Sequence, residues 1–216
     1  MTADLDLLLL DYASGALKEG PALAVATKLA MDPSARSRYE ELEAAGGILF
    51  DELAPETVSG GLLAATLQRL DPEAGAPQVA LSPRDGDRHR LLPSPLWRYA
   101  PEGLEGLHWK RWGRNVREAV LPLADRGHRA TLLQVRGGHG VLRHTHEGRE
   151  YTLVLSGSFS DETGRYGAGA LQICDDAVRH RPVADKGADC LCLTVLDAPM
   201  HFTGPIGRFF NPKVRF

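Results

Sequence analysis

Apolar and polar positions follow two different periods on either side of a proline-rich stretch. Before it they repeat as in helices. Leu7 to Tyr12 form a compact apolar turn, and Gly20-Pro21 marks a helix start followed by Leu23, Val25, Leu29 and Met31. Asp32-Pro33 repeats the signal for a third helix carrying Tyr39, Leu42, Ile48, Leu49 and Phe50. Gly46-Gly47 interrupts it. Each glycine weakens a helix by roughly 1 kcal/mol relative to alanine, so the pair predicts a bend or a packing contact. Ser59 is placed to cap a fourth helix in which Leu63, Leu67 and Leu70 recur at i, i+4, i+7, with Leu62 and Ala65 broadening the stripe. Beyond the prolines, short apolar runs alternate with turn residues: Val116–Val120, Ala130–Val135, Tyr151–Leu155, Ala170–Ile173, Cys190–Leu196 and the closing Arg208-Phe209-Phe210. The pattern predicts an α+β multidomain chain. A small all-α unit of about four helices spans 1–70, a Pro-rich linker spans 71–95, and an all-β antiparallel barrel or jelly roll spans 96–216.

Composition adds compartment and charge to this picture. The chain has 216 residues, 43% hydrophobic and 25% charged, which suits a globular protein with one or two cores. Three cysteines without a Cys-x-x-Cys pair argue against a disulfide framework and for a reducing compartment. Leu7–Leu10 is short and preceded by Asp4 and Asp6, so no export signal is expected, and no segment is long enough to span a bilayer. The expectation is a cytoplasmic protein. Residues 1–70 hold 5 Lys and Arg against 11 Asp and Glu, a net of −6, while 71–216 carry a net of +3. Such an acidic unit does not bind nucleic acid directly but attracts a basic protein partner. Four helices in about 70 residues also make a small core, which a partner surface would complete.

The chemistry concentrates in 138–157. In an extended segment, His144 and His146 face the same way while Arg143, Thr145 and Glu147 face the other. After the tight Glu147-Gly148-Arg149 connection, Glu150 opens the next strand and brings a carboxylate to the two imidazoles. Such a set suits Zn, Mn, Fe, Ni or Cu, and residue types alone do not choose among them. Cys190 and Cys192 share one strand face and read as buried thiols. Trp97, Trp109 and Trp112 are expected at the barrel's edge, each indole with a partner for its N–H. The remaining histidines lack a spaced set of partners. Among them His139, close to the pair in sequence, is the one that the fold could bring in.

Gly138, His144, His146, Glu150 and Gly157 reproduce the first motif of the cupin superfamily, and the segment resembles it at all five positions. The resemblance implies a jelly-roll barrel and a fourth ligand about thirty residues on, for which His180 is the candidate, although the usual Pro-x-Gly before it is missing. The full order of helices, linker and barrel is similar to the ChrR type of anti-sigma factor. Asp11-Tyr12-Ala13-Ser14-Gly15, Ala24-Val25-Ala26-Thr27, Ala45-Gly46-Gly47, Thr152 to Phe159, Asp161-Glu162-Thr163 and Asp189-Cys190-Leu191-Cys192-Leu193 carry that likeness. It implies a helical unit that sequesters a sigma factor of the extracytoplasmic-function (ECF) type. It also implies a barrel holding one zinc ion on His144, His146, Glu150 and His180. The helical unit of that family carries a second, structural zinc. Lys28, Asp32 and Ala35 stand at its ligand positions here, so none is expected at that place.

Two functions follow. One is an anti-sigma factor whose acidic helices bind an ECF-type sigma factor through Leu62, Leu63, Leu67 and Leu70, and whose metal reads an oxidative or small-molecule signal. It needs neither direct nucleic-acid contact nor a membrane, and leaves room for a homo-oligomer formed through the barrel. The other is a metal-dependent cupin enzyme, a dioxygenase or isomerase. The lack of an evident acid or base beside the ligands favours the first.

Overall fold

The computed structural model describes residues 2–69 and 92–203. Leu70, His89, most of the Pro-rich stretch and Arg208-Phe209-Phe210 lie outside the described residues. Four helices come first: α1 (Thr2–Ala13), α2 (Glu19–Met31), α3 (Pro33–Asp51) and α4 (Leu62–Arg69). Pro21 falls in the first turn of α2, where a missing N–H breaks no helical bond. Asp32 caps α3, its Oδ1 accepting from Ser34 N (2.9 Å) and Ala35 N (3.3 Å), with Pro33 as the first helical residue. α3 continues through Gly46-Gly47, where a bend or a packing contact was expected, and a Cβ at either would meet nothing within 4 Å, so the pair makes no close packing contact. The pair lies on an exposed stretch, so its cost is one of helix propensity alone.

The strands are β1 (Lys110–Trp112), β2 (Val116–Leu121), β3 (Arg129–Val135), β4 (His144–His146), β5 (Glu150–Ser156) and β6 (Ser158–Asp161). They continue with β7 (Gly164–Gly167), β8 (Leu171–Cys174), β9 (Val183–Ala184), β10 (Cys190–Leu196) and β11 (Met200–Phe202). A six-stranded sheet runs in the order β1-β2-β3-β10-β5-β8, a three-stranded one in the order β7-β6-β9, and β11 pairs with β4. Every pairing is antiparallel, as a jelly-roll barrel requires. No helix among the described residues is long and apolar enough to cross a membrane.

The large sheet is covered on both faces, and this decides where the helices sit. On its inner face Val135, Val154, Cys190 and Cys192 pack with Phe159 and Tyr166 of the small sheet. On its outer face Ala130, Leu132, Tyr151, Leu153, Leu155, Leu191, Leu193 and Val195 share one core with Leu8, Leu9, Leu23, Val25 and Leu29 of α1 and α2. Leu96, in a 3₁₀ turn over Ser94–Leu96, belongs to the same core. Leu9, Ala24 and Val25 are fully buried there. The surface that the short helices need to complete their core is thus supplied by the barrel. Trp97 and Trp109 pack at the edge of this core, their indole N–H groups donating to Leu92 O (2.7 Å) and Leu104 O (2.9 Å).

Polar contacts fix α2 at both ends. At its start the Glu19 carboxylate accepts from Tyr99 OH (2.8 Å) and Asp125 N (2.8 Å). At its far end the Lys28 ammonium pairs with Asp32 and donates to Gly169 O (2.8 Å). Lys28 and Asp32, for which the resemblance implied the loss of a zinc site, therefore form a corner made of an ion pair, a helix cap and a link to the barrel.

Because helices and sheet share apolar contacts, trimming the sheet should loosen the helices. Leu193→Ala is expected to cost about 3 kcal/mol, within the range for a fully buried leucine. In chemical denaturation the helical circular dichroism and the tryptophan fluorescence should shift to lower denaturant together. A shift in fluorescence alone would show that the helices hold independently of the sheet.

Candidate metal centre

The chain brings four ligating side chains together from three places. β4 alternates, so His144 and His146 face inward while Thr145 faces away and its hydroxyl donates to Val178 O (3.1 Å). That bond holds the 176–180 loop against β4. His180 then aligns with His144 through two main-chain bonds, His144 N to His180 O (3.1 Å) and His180 N to His144 O (3.2 Å). Glu150 starts β5 after a turn in which Arg149 N donates to Asp197 Oδ1 (2.7 Å). The two motif glycines, Gly138 (φ +76°) and Gly157 (φ +74°), adopt the left-handed backbone that a side chain would strain.

His144, His146, Glu150 and His180 are all buried, and one ligand atom from each lies within 4.8 Å of the others. Glu150 Oε2 is 2.7 Å from His146 Nε2, 3.4 Å from His180 Nε2 and 3.8 Å from His144 Nε2. Tetrahedral bonds of about 2.0–2.1 Å give ligand separations near ~3.3 Å, in the middle of this range. The group can hold a metal ion.

Its proton inventory points the same way. His144 Nδ1 donates to Leu142 O (2.8 Å) and His180 Nδ1 to Asp161 Oδ2 (2.8 Å). With both Nδ1 atoms donating elsewhere, the two Nε2 atoms face each other across 2.9 Å, where a cation or a shared proton would satisfy them. His146 Nδ1, His146 Nε2 and Glu150 Oε2 are buried without a hydrogen-bond partner in the protein, since the short His146–Glu150 approach lacks hydrogen-bond geometry. Burial pushes the Glu150 carboxyl up, yet His144, His146 and His180 outweigh it and hold it well below the usual carboxylate range. Burial likewise pulls His180 down, but Cys174, Glu150 and Asp161 raise it to about 11. Protonation of His180 would supply one positive charge; a divalent cation would engage one ligand atom from each of the four side chains, Glu150 Oε2 and His146 Nε2 included.

Two further residues support the set and were not singled out from the sequence. Thr152 Oγ1 donates to Glu150 Oε1 (3.1 Å), leaving Oε2 for the histidines. Asp161, its side chain fully buried, receives His180 Nδ1, Gln172 Nε2 (2.7 Å) and Thr163 N (2.8 Å). Thr152 lies two residues from Glu150, so strand alternation could have found it. Asp161 lies 19 positions before His180 and has no local signal. His139 bonds Gly137 O (3.0 Å) and is not part of the group. Cys190 and Cys192 are buried as expected, their sulfurs 3.5 Å apart.

The other anticipated surface lies on the helices. Leu62, Leu63 and Leu67 are exposed on α4 (47%, 71% and 56%), and Ile48, Leu49 and Phe50 are exposed near the end of α3. Leu70 lies outside the described residues.

Asp161→Asn removes the acceptor charge behind His180 and spares all four ligands. It should weaken metal binding about 10- to 100-fold in a competition titration against a chromophoric chelator. An unchanged affinity would show that His180 needs no such support. His144→Ala combined with His146→Ala should abolish stoichiometric metal in elemental analysis.

Residues 103–199 match the family described as the ChrR Cupin-like domain. The chain is 41% identical over 210 residues to the anti-sigma-E factor ChrR of Cereibacter sphaeroides, covering 97% of this chain and 96% of that one. It is also similar to a chain in the crystal structure of Rhodobacter sphaeroides SigE in complex with the anti-sigma ChrR. That match has a TM-score of 0.74 and 41% identity, and covers 88% of this chain and 96% of that chain. With its helices, its barrel and its sequence alike along nearly their whole length, the chain belongs to the ChrR family of anti-sigma factors.

Proposed function

We propose that this chain sequesters an ECF-type sigma factor with its helices and carries in its barrel a zinc ion that sets the response to an oxidative or small-molecule signal. The observation behind this reading is the exposed apolar run on α3 and α4, in a unit that carries a net charge of −6. Sigma factors meet DNA phosphates with basic surfaces, so an acidic, apolar partner competes for them. Charge speeds the encounter, and Leu62, Leu63 and Leu67 slow the dissociation by excluding water. Leu70 continues the same stripe in sequence.

The metal centre supports regulation over catalysis. Three imidazoles and one carboxylate, all buried, would supply four ligands to a zinc ion, the number of a structural site, whereas a catalytic zinc keeps one position for water or substrate. A zinc ion there would neutralise Glu150 and fix the three imidazoles in one arrangement.

In a transcription reporter, Leu63→Asp with Leu67→Asp should relieve repression of the cognate sigma factor, a loss of at least ~2–4 kcal/mol if these are anchor residues. His144→Ala should leave repression in place and remove the response to the signal. Full repression by the barrel alone, residues 96–216, would reverse the assignment. Metal other than zinc in protein purified from its native host would correct the cofactor.

A further inference from the structure

We propose that strand β5 mechanically joins the metal centre to helix α2, so that the ligand set's state fixes how firmly the helices are seated on the barrel. The two sides of β5 face different compartments. Glu150 and Thr152 point inward, one a metal-ligand candidate and the other its hydrogen-bond donor, while Tyr151 and Leu153 point outward into the core shared with α1 and α2.

Both ends of α2 rest on partners of this strand. At the N-terminal end, Tyr151 pairs with Val195 of β10, and a Cβ on Gly20 would lie only 2.9 Å from Val195 Cγ1 and 2.7 Å from His128 Cβ. The helix backbone therefore lies directly on Val195, the strand partner of Tyr151, and Glu19 holds it there through Tyr99 and Asp125. At the C-terminal end, Lys28 reaches Gly169 O, Gly169 N donates to Val154 O (2.8 Å), and Val154 N donates to Ala170 O (3.0 Å). A displacement of β5 thus has a bonded or close-packed route to each end of α2.

The metal site supplies the displacement. Without a cation, the Nε2 atoms of His144 and His180, 2.9 Å apart, and the buried Glu150 carboxylate lose the group that would hold them together and are released to rearrange. Glu150 is the first residue of β5, next to Tyr151, so its rearrangement acts on the strand itself. Close-packed interiors transmit such strain because they do not deform continuously. Seated and loosened helices are then the two states that the metal biases. The bearing on sigma binding rests on the function proposed above; the coupling itself does not.

Hydrogen–deuterium exchange on the full chain tests this without any sigma factor. Three forms are compared: zinc-loaded, stripped with a chelator, and Glu150→Gln. The expected result is exchange at least ~10-fold faster over 22–31 of α2 in the last two forms, with β3 unchanged. Lys28→Met, and Glu19→Gln should that variant fail to fold, are expected to show fast α2 exchange even when loaded, with metal content intact. Protection of α2 that ignores metal loss while 144–150 loosens would overturn the coupling. So would an equal rise in α2 and β3, which would mean general loosening of the fold. A sigma factor that fails to bind any of these forms would sink the proposed function and leave the exchange result standing.

Discussion

Burial of the six-stranded sheet on both faces is the constraint on which the rest of the structure depends. Antiparallel sheets commonly leave one face to water and read as alternating apolar and polar positions. In β5 and β10 nearly every residue is buried, because one face closes the barrel and the other carries α1 and α2. Alternation therefore separates two buried compartments. A slip of one residue would bring Tyr151 into the metal group and Glu150 into the apolar core under the helices. The register that prevents this is held by six paired positions between β5 and β10 and four between β5 and β8.

Charge inside such a wall survives only with compensation. Glu150 is surrounded by three imidazoles, and Asp161 by donors from His180, Gln172 and Thr163. These arrangements illustrate that a buried carboxylate persists where donors converge on it. They also explain how the barrel keeps a polar group buried alongside its apolar interior.

Much of this was legible in the sequence, and physical range explains the rest. The His-x-His spacing, Glu150 and the two glycines are local, so alternation and turn chemistry located them. The run Cys190–Leu196 coincides with β10, and Asp32-Pro33 marks the start of α3. His180 followed from resemblance alone. The seating of α2 on β5 and β10 joins residues more than a hundred positions apart, as in Lys28 with Gly169, and no periodicity encodes such a pairing. The short strands β1, β7, β9 and β11 were not anticipated either, since two to four residues hold too little pattern to be read.

Lys28 gives the corner between helices and barrel a different vulnerability from a metal-held one. An ammonium bound to Asp32 and a main-chain carbonyl cannot be drawn off by a chelator, exchanged for a competing ion or released by oxidation of a thiolate ligand. Metal starvation and oxidants thus find nothing to attack at that corner. Among the described residues the only cluster suited to hold a metal is the one in the barrel.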